Sequence, residues 1–274
     1  MAYSTGKLAV ITGAGSGIGR ALAHQFNAAG CRLLLSDIDP NGLEKTLATL
    51  PRSDIVAKGQ VLDVADKAAV HQYADDIEAE YAHIDILINN AGVALMATAE
   101  ETQYDDIEWL MSINFWGVVY GTKAFLPLLR KSQQGHLVNI SSIFGIIGVP
   151  TQSAYNAAKF AVRGYTEALR QELSGGNVHV CCVHPGGIKT NIAINSRSKV
   201  TGAERQASNA SFEQLARTTA NSAARQIITG IEKRKIRLLI GGDAKFLSLL
   251  SRLFPVNYAR LMPGLAKTLD TMAS

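Results

Sequence analysis

The sequence contains little cysteine. The only cysteines among its 274 residues are Cys31, Cys181 and Cys182, and the last two are adjacent within the apolar run Val178–Val183. This pattern predicts small core side chains in a reducing compartment and argues against a disulfide scaffold. A metal site is not expected either, because no second Cys or His cluster has ligand spacing. A chain of this length can bury a sufficient core without such cross-links.

Long apolar runs are also missing. No stretch approaches the roughly 20 apolar residues of a membrane-spanning helix. The first ten residues, MAYSTGKLAV, lack the basic and apolar segments of a secretory signal. Hydrophobic residues make up 47% of the chain and charged residues 18%, which is typical of a globular protein. We therefore expect a cytoplasmic enzyme.

Positive charge is concentrated at the C-terminal end. The net charge is +4, and residues 231–274 hold eight Lys/Arg against three Asp/Glu. A basic C-terminal end can indicate binding to nucleic acid or to anionic lipid, but a solvent-exposed helix face explains the positive charge as well. No nucleic-acid partner is expected, because the basic residues are not interleaved with aromatic ones and match no known motif.

Apolar, β-branched runs alternate with helical patterns along the chain. The predicted strands are Leu8–Thr12, Leu33–Asp37, Ile55–Val64, Ile84–Asn89, His136–Ser141, Val178–Val183 and Ile236–Gly241. The predicted helices are Ile18–Ala29, Gly42–Leu50, Ala68–Tyr81, Tyr104–Leu129, Ala154–Leu173 and Phe212–Glu232. Continuously apolar strands indicate a parallel sheet covered on both faces. The alternation predicts an α/β, doubly wound sheet in one domain spanning residues 1–274.

Two segments depart from this alternation. Asn191–Ser211 is polar and follows the sixth predicted strand at the ligand-binding edge, so it predicts a mobile substrate flap. Residues 244–274 form a C-terminal extension that begins with an apolar stripe at helical spacing. The stripe consists of Phe246, Leu249, Leu250, Leu253 and Phe254. It indicates core or a subunit interface, and contact with a membrane surface is the alternative.

The first predicted strand runs directly into a glycine-rich turn that opens a helix. Its residues are Thr12, Gly13, Ala14, Gly15, Ser16, Gly17, Ile18 and Gly19. Glycines let the backbone approach a pyrophosphate, and the helix N-terminus offers N–H groups to it. The turn therefore predicts a dinucleotide site.

Asp37 ends the second predicted strand, twenty positions after Gly17. A carboxylate there can accept hydrogen bonds from ribose hydroxyls and would repel a 2′-phosphate. No basic side chain stands nearby to bind that phosphate, since the neighbouring positions are Ser16 and Ile38. The pattern favours NAD over NADP. Alternatively, Asp37 is an ordinary polar residue at a strand end.

Tyr155 and Lys159 are four residues apart in a predicted helix, which places both side chains on one face. A free tyrosine has a pKa of about 10, and a nearby ammonium favours the phenolate. The pair is therefore a plausible general acid and base for alcohol–ketone interconversion. Tyr-x-x-x-Lys alone is common, so its companions matter. Ser142 lies thirteen residues before Tyr155 and is expected at the same sheet edge. The other polar or glycine-rich segments expected at or beside this edge are Asn89–Gly92, Asn114 and Pro185–Thr190.

With these motifs in order over roughly residues 7–190, the sequence resembles the short-chain dehydrogenase/reductase family, including its Gly-x-x-x-Gly-x-Gly turn. The resemblance implies a three-layer Rossmann fold with a mostly parallel seven-stranded sheet. It implies that residues 7–190 form the cofactor-binding and catalytic core, and that homodimers or homotetramers assemble through the two long helices at 104–129 and 154–173.

The same resemblance implies site roles. Ser142 positions the reacting oxygen, Tyr155 exchanges the proton, Lys159 lowers the tyrosine pKa and holds the nicotinamide ribose, and Asn114 holds a relay water. The remaining cofactor contacts are implied at Gly13, Ser16, Gly17, Ile18, Gly19, Asp37, Asp63, Val64, Asn90, Gly92, Pro185, Gly186, Ile188 and Thr190. Alternatives remain: Asn114 as a buried structural amide, Ser141 as the catalytic serine, and His184 as a base instead of a structural histidine.

The predicted substrate is a small lipophilic alcohol or ketone. Residues 94–97, 144–149 and 152 and the flap are expected to line the pocket, and the first two stretches are strongly apolar. The competing functions are a non-catalytic dinucleotide sensor or scaffold and a ketone reductase that prefers NADPH. A sensor would be expected to lose the catalytic residues, which are all present. A nucleotide-sugar epimerase or dehydratase would need a larger C-terminal domain.

Overall fold

Seven strands form the central sheet of the protein, described here by a computed structural model covering residues 4–190, 192, 196–198 and 217–261. The strands are β1 (Leu8–Thr12), β2 (Arg32–Asp37), β3 (Ala57–Val61), β4 (Ile86–Asn89), β5 (Gly135–Ile140), β6 (Val178–Pro185) and β7 (Arg237–Ile240). Their spatial order is β3-β2-β1-β4-β5-β6-β7, and every neighbouring pair is parallel. The order reverses beside β1, which opens a crevice at the carboxyl ends of β1 and β4.

Helices cover both faces of this sheet. They are α1 (Gly17–Ala28), α2 (Pro40–Ala48), α3 (Lys67–Glu80), α4 (Tyr104–Met111), α5 (Gly117–Lys131), α6 (Ser153–Glu172), α7 (Ala220–Glu232) and α8 (Gly242–Leu253). Apolar residues of α1, α2 and α7 share one buried cluster with the sheet, and those of α3, α5 and α6 share another on the opposite face. The predicted three-layer, doubly wound Rossmann fold is confirmed.

Four predicted helices agree with the structure to within two residues at each end, and two differ by more. The helix predicted at 104–129 is interrupted by a π-helix at Ser112–Trp116, which lies between α4 and α5. The helix predicted from Phe212 begins only at Ala220, because Thr218–Thr219 is extended and pairs with Ile188–Lys189. The Thr219 side chain then caps the first turn by accepting a hydrogen bond from Ser222 N. Residues 212–216 lie outside the described part.

Most of the predicted substrate flap lies outside the described residues. One of its described pieces, Arg197–Ser198, pairs with Leu95–Met96 as a short parallel ladder. The Arg197 guanidinium forms an ion pair with Asp106 at 3.2 Å and stacks 3.7 Å from the centre of the Trp109 ring. This piece is therefore anchored on α4, beside the apolar stretch at 94–97.

The described part of the C-terminal extension consists of α8 and a 3₁₀ turn at Tyr258–Leu261, and residues 262–274 lie outside the description. The predicted stripe does not belong to the core of this chain: Phe246, Leu249 and Leu253 face outward, whereas Ala244 and Leu247 pack against the protein. Of the two alternatives for this stripe, core and subunit interface, the structure excludes the core, and the interface stays a prediction. Across the described ranges, no helix has the length and apolar character needed to cross a membrane.

The three cysteines are free and buried, and burial raises the pKa of each thiol to about 12. They are therefore unreactive thiols near neutral pH, as predicted for small core residues.

Candidate active site

The carboxyl end of β1 and the first turn of α1 form a cradle of bare backbone. Gly13 and Gly17 have φ angles of +66° and +53°, a conformation that favours glycine. A Cβ on Gly13 would lie 2.7 Å from Ala91 Cα, and one on Gly19 would collide with the Gly13 carbonyl. Ser16 makes no side-chain capping bond, so the first N–H groups of α1 remain available to an anion.

Asp37 lies against this cradle at the end of β2. One carboxylate oxygen accepts a hydrogen bond from Gly15 N at 2.7 Å, and the other accepts one from Asp39 N at 2.9 Å. The side chain of Ile38 is exposed and apolar. The acid is thus fixed beside the glycine turn.

Arg20 is a further basic residue near the cradle, and no sequence motif indicates it. Its guanidinium donates hydrogen bonds to the carbonyls of Gly15 and Gly42, and its Nε donates to Thr46 Oγ1. These bonds tie the glycine turn to α2. Arg20 therefore braces the turn through backbone contacts.

The loop after β4 is bound to the same turn. Thr12 Oγ1 accepts hydrogen bonds from the N–H groups of Asn90 and Ala91, each at 3.0 Å. The Asn90 amide nitrogen donates to the carbonyls of Thr12 and Gly13 at 2.9 and 3.0 Å. Both amide protons of Asn90 are used inside the protein, so its side chain holds the glycine turn in shape.

The loop after β6 approaches the cradle from the opposite side. A Cβ on Gly17 would lie 3.2 Å from Thr190 Cγ2, which places Thr190 over the start of α1. Ile188 is buried, and Gly186 N donates to Ile240 O at 2.9 Å directly after Pro185. The predicted cofactor residues from β1 and β6 therefore border one cleft.

Asp63 and Val64 follow β3 on the far side of β2. The Asp63 carboxylate is exposed and accepts a hydrogen bond from Ala65 N at 2.9 Å. Val64 is buried against α5, where a Cβ on Gly117 would lie 2.8 Å from Val64 Cγ2. Their position next to the end of β2 is compatible with the predicted adenine contacts.

Ser142 and Tyr155 face each other across the site. Ser142 begins a 3₁₀ turn at Ile143–Gly145, where its hydroxyl accepts a hydrogen bond from Phe144 N at 3.1 Å. Burial raises the pKa of Tyr155 to about 12, and hydrogen bonding to the Ser142 side chain opposes this rise. The Phe144 ring packs edge-on against the Tyr155 ring at 6.1 Å.

Lys159 lies one turn further along α6 and is almost fully buried. Its Nζ donates to Ile140 O at 3.1 Å and lies 5.7 Å from the centre of the Tyr155 ring. Burial lowers the pKa of Lys159 to about 8. Burial is the larger influence on the phenol, so the lowering of the tyrosine pKa by Lys159 that the resemblance implies stays a prediction.

Asn114 is fully buried in the π-helix and pairs with the loop after β4. Its Oδ1 accepts from Val93 N and its Nδ2 donates to Val93 O, each at 2.9 Å. Gly92 separates it from the lysine: a Cβ on Gly92 would lie 2.9 Å from Asn114 Oδ1 and 3.5 Å from Lys159 Nζ. The structure thus brings together the four predicted catalytic residues, with Asn114 also acting as a buried structural amide.

The alternative candidates have structural partners. The Ser141 hydroxyl donates to Lys159 O at 2.8 Å, away from Tyr155. His184 Nδ1 donates to Ser142 O at 3.0 Å, and burial lowers the pKa of His184 to about 4. The geometry therefore favours Ser142 over Ser141 and leaves His184 as a neutral positioning group.

Three further residues shape the site, and sequence reasoning missed them. The Asn156 amide donates to the carbonyls of Phe144 and Ile147 and accepts from Val149 N, so it holds the apolar loop at 144–149. The Asp243 carboxylate in α8 accepts from Gly187 N at 2.6 Å. Tyr258 Oη accepts from Gly148 N at 2.8 Å. Asn156 is next to Tyr155 in the sequence, and this is a weak indication that it holds the loop. Asp243 and Tyr258 lie far along the chain from the loop, so the sequence gives no indication of their contacts.

A parallel doubly wound sheet with a glycine cradle, an acid at the end of β2 and a Ser–Tyr–Lys group defines a dinucleotide-dependent oxidoreductase. Residues 7–201 match the short chain dehydrogenase family, and the chain belongs to that family as an NAD(P)-dependent short-chain dehydrogenase/reductase.

Similar proteins are known from several organisms. SadH of Mycobacterium tuberculosis, named as an oxidoreductase, is 47% identical over 272 residues, which cover 97% of this chain and 98% of that protein. Dehydrogenase/reductase SDR family member 7B of Xenopus tropicalis is 34% identical and covers 97% of this chain and 87% of its own length. A crystal structure of a short-chain dehydrogenase/reductase from Burkholderia phymatum in complex with NAD has a TM-score of 0.83 at 30% identity, covering 92% of this chain and 95% of its own.

Proposed function

We propose that this protein is an NAD-dependent dehydrogenase that interconverts a secondary alcohol and a ketone, and that its substrate is lipophilic. The observation that carries the proposal is the convergence of Ser142 and Tyr155 with the buried ammonium of Lys159, at the sheet edge that also holds the glycine cradle. The competing role of a non-catalytic sensor would not require this arrangement.

The cradle fits a dinucleotide. Its bare backbone and the free N–H groups of α1 suit a pyrophosphate, and Asp37 suits the adenosine ribose. On the opposite wall, Ile188 and Thr190 would border the carboxamide end, and Lys159 would reach the second ribose. The nicotinamide ring supplies the hydride acceptor or donor when it is bound.

Ser142 and Tyr155 bind the substrate oxygen and exchange its proton. In ketone reduction the Tyr155 hydroxyl donates its proton to the carbonyl oxygen while Ser142 holds that oxygen in place. In alcohol oxidation the proton moves in reverse, from the alcohol to the phenolate. A pKa of about 12 keeps the phenol protonated at neutral pH, which suits the proton-donating direction.

Lys159 supports the phenolate in the oxidation direction. Its ammonium, 5.7 Å from the centre of the Tyr155 ring, favours the negative phenolate electrostatically. Asn114 fixes the loop at Val93 beside Lys159 Nζ, and we propose that it also positions a water that carries protons away from the lysine.

NAD is the proposed cofactor, and an NADPH-preferring reductase is the competing function. The fixed Asp37 carboxylate repels a 2′-phosphate, and Ile38 offers it no positive partner. The Burkholderia phymatum relative in complex with NAD supports this preference. Steady-state kinetics with both cofactors test it: we expect the larger kcat/KM with NAD, and a clear preference for NADP would overturn it.

The apolar loop held by Asn156 supports a lipophilic substrate. Ile147 of this loop is buried in one apolar cluster with Ile143, and Phe144 packs on the Tyr155 ring. Residues 144–149 of this loop carry no polar side chain to hold the hydroxyls of a sugar. NADH fluorescence with medium-chain and cyclic secondary alcohols, compared with polyols, tests this substrate class. Faster oxidation of the polyols would overturn it.

We also propose a cytoplasmic homodimer or homotetramer. Trp116 and Phe160 are large, exposed apolar side chains on the π-helix and α6, in the region where the long helices predict an interface. The free, buried cysteines support a reducing compartment. Light scattering after size exclusion tests the oligomer, and a monomer at micromolar concentration would contradict it.

A further inference from the structure

Helix α8 exposes large apolar side chains on the side that faces away from the protein. We call this surface the outer face of α8, and it continues into the residues that follow the helix. The exposed fractions are 55% for Phe246, 57% for Leu249, 63% for Leu253, 47% for Phe254, 84% for Val256 and 50% for Leu261. Single exposed apolar residues are ordinary, but a contiguous set of this kind marks a binding surface.

The inner side of α8 is already occupied. Ala244 is fully buried with Ile143 and Ile147, and Leu247 packs on the same cluster. Asp243 is turned inward to Gly187 N. The helix therefore stays attached to the protein through its inner side, while its outer face is left exposed in the described part of the chain.

The charge of the segment indicates the partner. From residue 244 to 261 the sequence contains Lys245, Arg252 and Arg260 and no acidic residue. Lys245 and Arg252 stand beside the outer face and are exposed. An apolar stripe flanked by basic side chains is typical of helices that lie in an anionic membrane surface. Two copies pairing through this face would bring six cations together without a neutralising carboxylate on the same segment.

The outer face of α8 lies close to the proposed substrate loop. The inner side of α8 packs on the loop that follows Ser142, and Tyr258 binds Gly148 in the same loop. The outer face therefore lies on the part of the molecule that carries the proposed substrate loop. A surface of this kind would hold the enzyme where a lipophilic substrate is concentrated.

We propose that the outer face of α8 docks this enzyme on anionic lipid surfaces. The docking itself depends only on the apolar and basic side chains of α8. The benefit of docking to catalysis rests on the proposed lipophilic substrate. Measuring docking on vesicles without substrate tests the docking independently of the substrate.

Sedimentation with vesicles tests the docking. The full chain is mixed with vesicles of phosphatidylcholine and phosphatidylglycerol, or of phosphatidylcholine alone, and the pelleted fraction is measured. We expect binding to the anionic vesicles that weakens as salt is added. Lys245→Gln with Arg252→Gln should weaken it by about thirtyfold, since each basic side chain near the surface contributes roughly a factor of five.

Matched variants identify the surface. Phe246→Ser with Leu253→Ser should weaken binding by at least about tenfold, because two exposed apolar side chains are removed. Val61→Ser changes an exposed valine on β3, and Lys233→Gln with Lys235→Gln removes two positive charges from the turn after α7. We expect both controls to bind as the unchanged chain does. Melting temperature and dinucleotide affinity should be unaltered in all of these variants.

Three results would overturn the proposal. The first is an absence of sedimentation with anionic vesicles. The second is equal weakening by the control charges, which would show unspecific attraction. The third is a change from oligomer to monomer on light scattering in Phe246→Ser with Leu253→Ser, which would assign the face to a second copy of the chain. Failure of the alcohol panel with intact docking would instead refute only the lipophilic substrate.

Discussion

Tyr258 Oη accepts a hydrogen bond from Gly148 N at 2.8 Å, a contact between residues 110 positions apart. Gly148 belongs to the apolar loop between Ser142 and Tyr155, and Asn156 holds the same loop from the other side. The C-terminal extension is therefore part of the wall around the substrate loop.

Removing the Tyr258 hydroxyl should loosen this loop without touching the reacting atoms. For Tyr258→Phe we expect KM to rise by about three- to tenfold, kcat to change little, and the free energy of unfolding to fall by about 1 kcal/mol, the value of one hydrogen bond. Steady-state kinetics and urea unfolding measure these changes. Tyr104→Phe, at an exposed tyrosine on α4, is the matched control. An unchanged KM in Tyr258→Phe would show that the contact does not shape the pocket.

Cofactor choice should depend on Asp37 and Ile38. Asp37→Ser with Ile38→Arg removes the negative charge and adds a positive one, so we expect the ratio of kcat/KM for NAD over NADP to fall by about a hundredfold or more, two strong interactions being altered. Asp37→Asn is the matched control, because its amide oxygen can still accept the hydrogen bond from Gly15 N. We expect an intermediate ratio for it. If the double variant keeps the original ratio, Asp37 does not select the cofactor.

The two reaction directions should respond differently to pH. Burial raises the pKa of Tyr155 to about 12, so the phenol stays protonated and the rate of ketone reduction should be flat through neutral pH. Oxidation requires the phenolate, whose fraction rises tenfold per pH unit, so log kcat/KM should climb with a slope of about one. The climb should flatten above about pH 8, where Lys159 loses its charge. Oxidation that does not vary with pH below this point would exclude Tyr155 as the base.

His184 should make the protein sensitive to acid. Its Nδ1 donates to Ser142 O, and its buried Nε2 has no partner among the described residues, so a second proton would be left unbonded. The folded pKa, about 4, lies below the unfolded value of 6.5, so stability is complete above pH 6.5 and is lost as pH falls toward 4.

Urea unfolding at a series of pH values measures this loss. Between pH 6.5 and 4, His184 should lower the free energy of unfolding of the original chain by an amount on the order of 1 to 3 kcal/mol. In His184→Asn this contribution to the fall should be absent. An identical pH dependence in the variant and the original chain would show that His184 is not the sensitive group.

Features with a fixed local geometry were predictable from sequence. The four-residue spacing of Tyr155 and Lys159 places them on one helix face in any helix, and a glycine turn between a strand and a helix has a known shape. The doubly wound sheet was predictable as well, because strands that alternate with helices form parallel sheets through right-handed crossovers.

Contacts between distant segments were not predictable. Nothing near Tyr258 or Asp243 in the chain indicates the loop that each one binds. Periodicity did not decide between core and interface for the stripe of α8, because Leu247 and Leu249 lie on opposite sides of the helix and both are apolar. The π-helix at Asn114 has no distinctive residue pattern, since it differs from an α-helix only in backbone pairing.

Tyr155→Phe tests the proposed chemistry most directly. The substitution removes only the hydroxyl that exchanges the proton and keeps the ring that packs on Phe144. In an NADH-fluorescence assay with the best secondary alcohol of the panel, we expect kcat to fall by about 10³-fold or more, as for loss of a general acid and base. Dinucleotide affinity and melting temperature should stay unchanged. A variant that keeps full activity would contradict the mechanism.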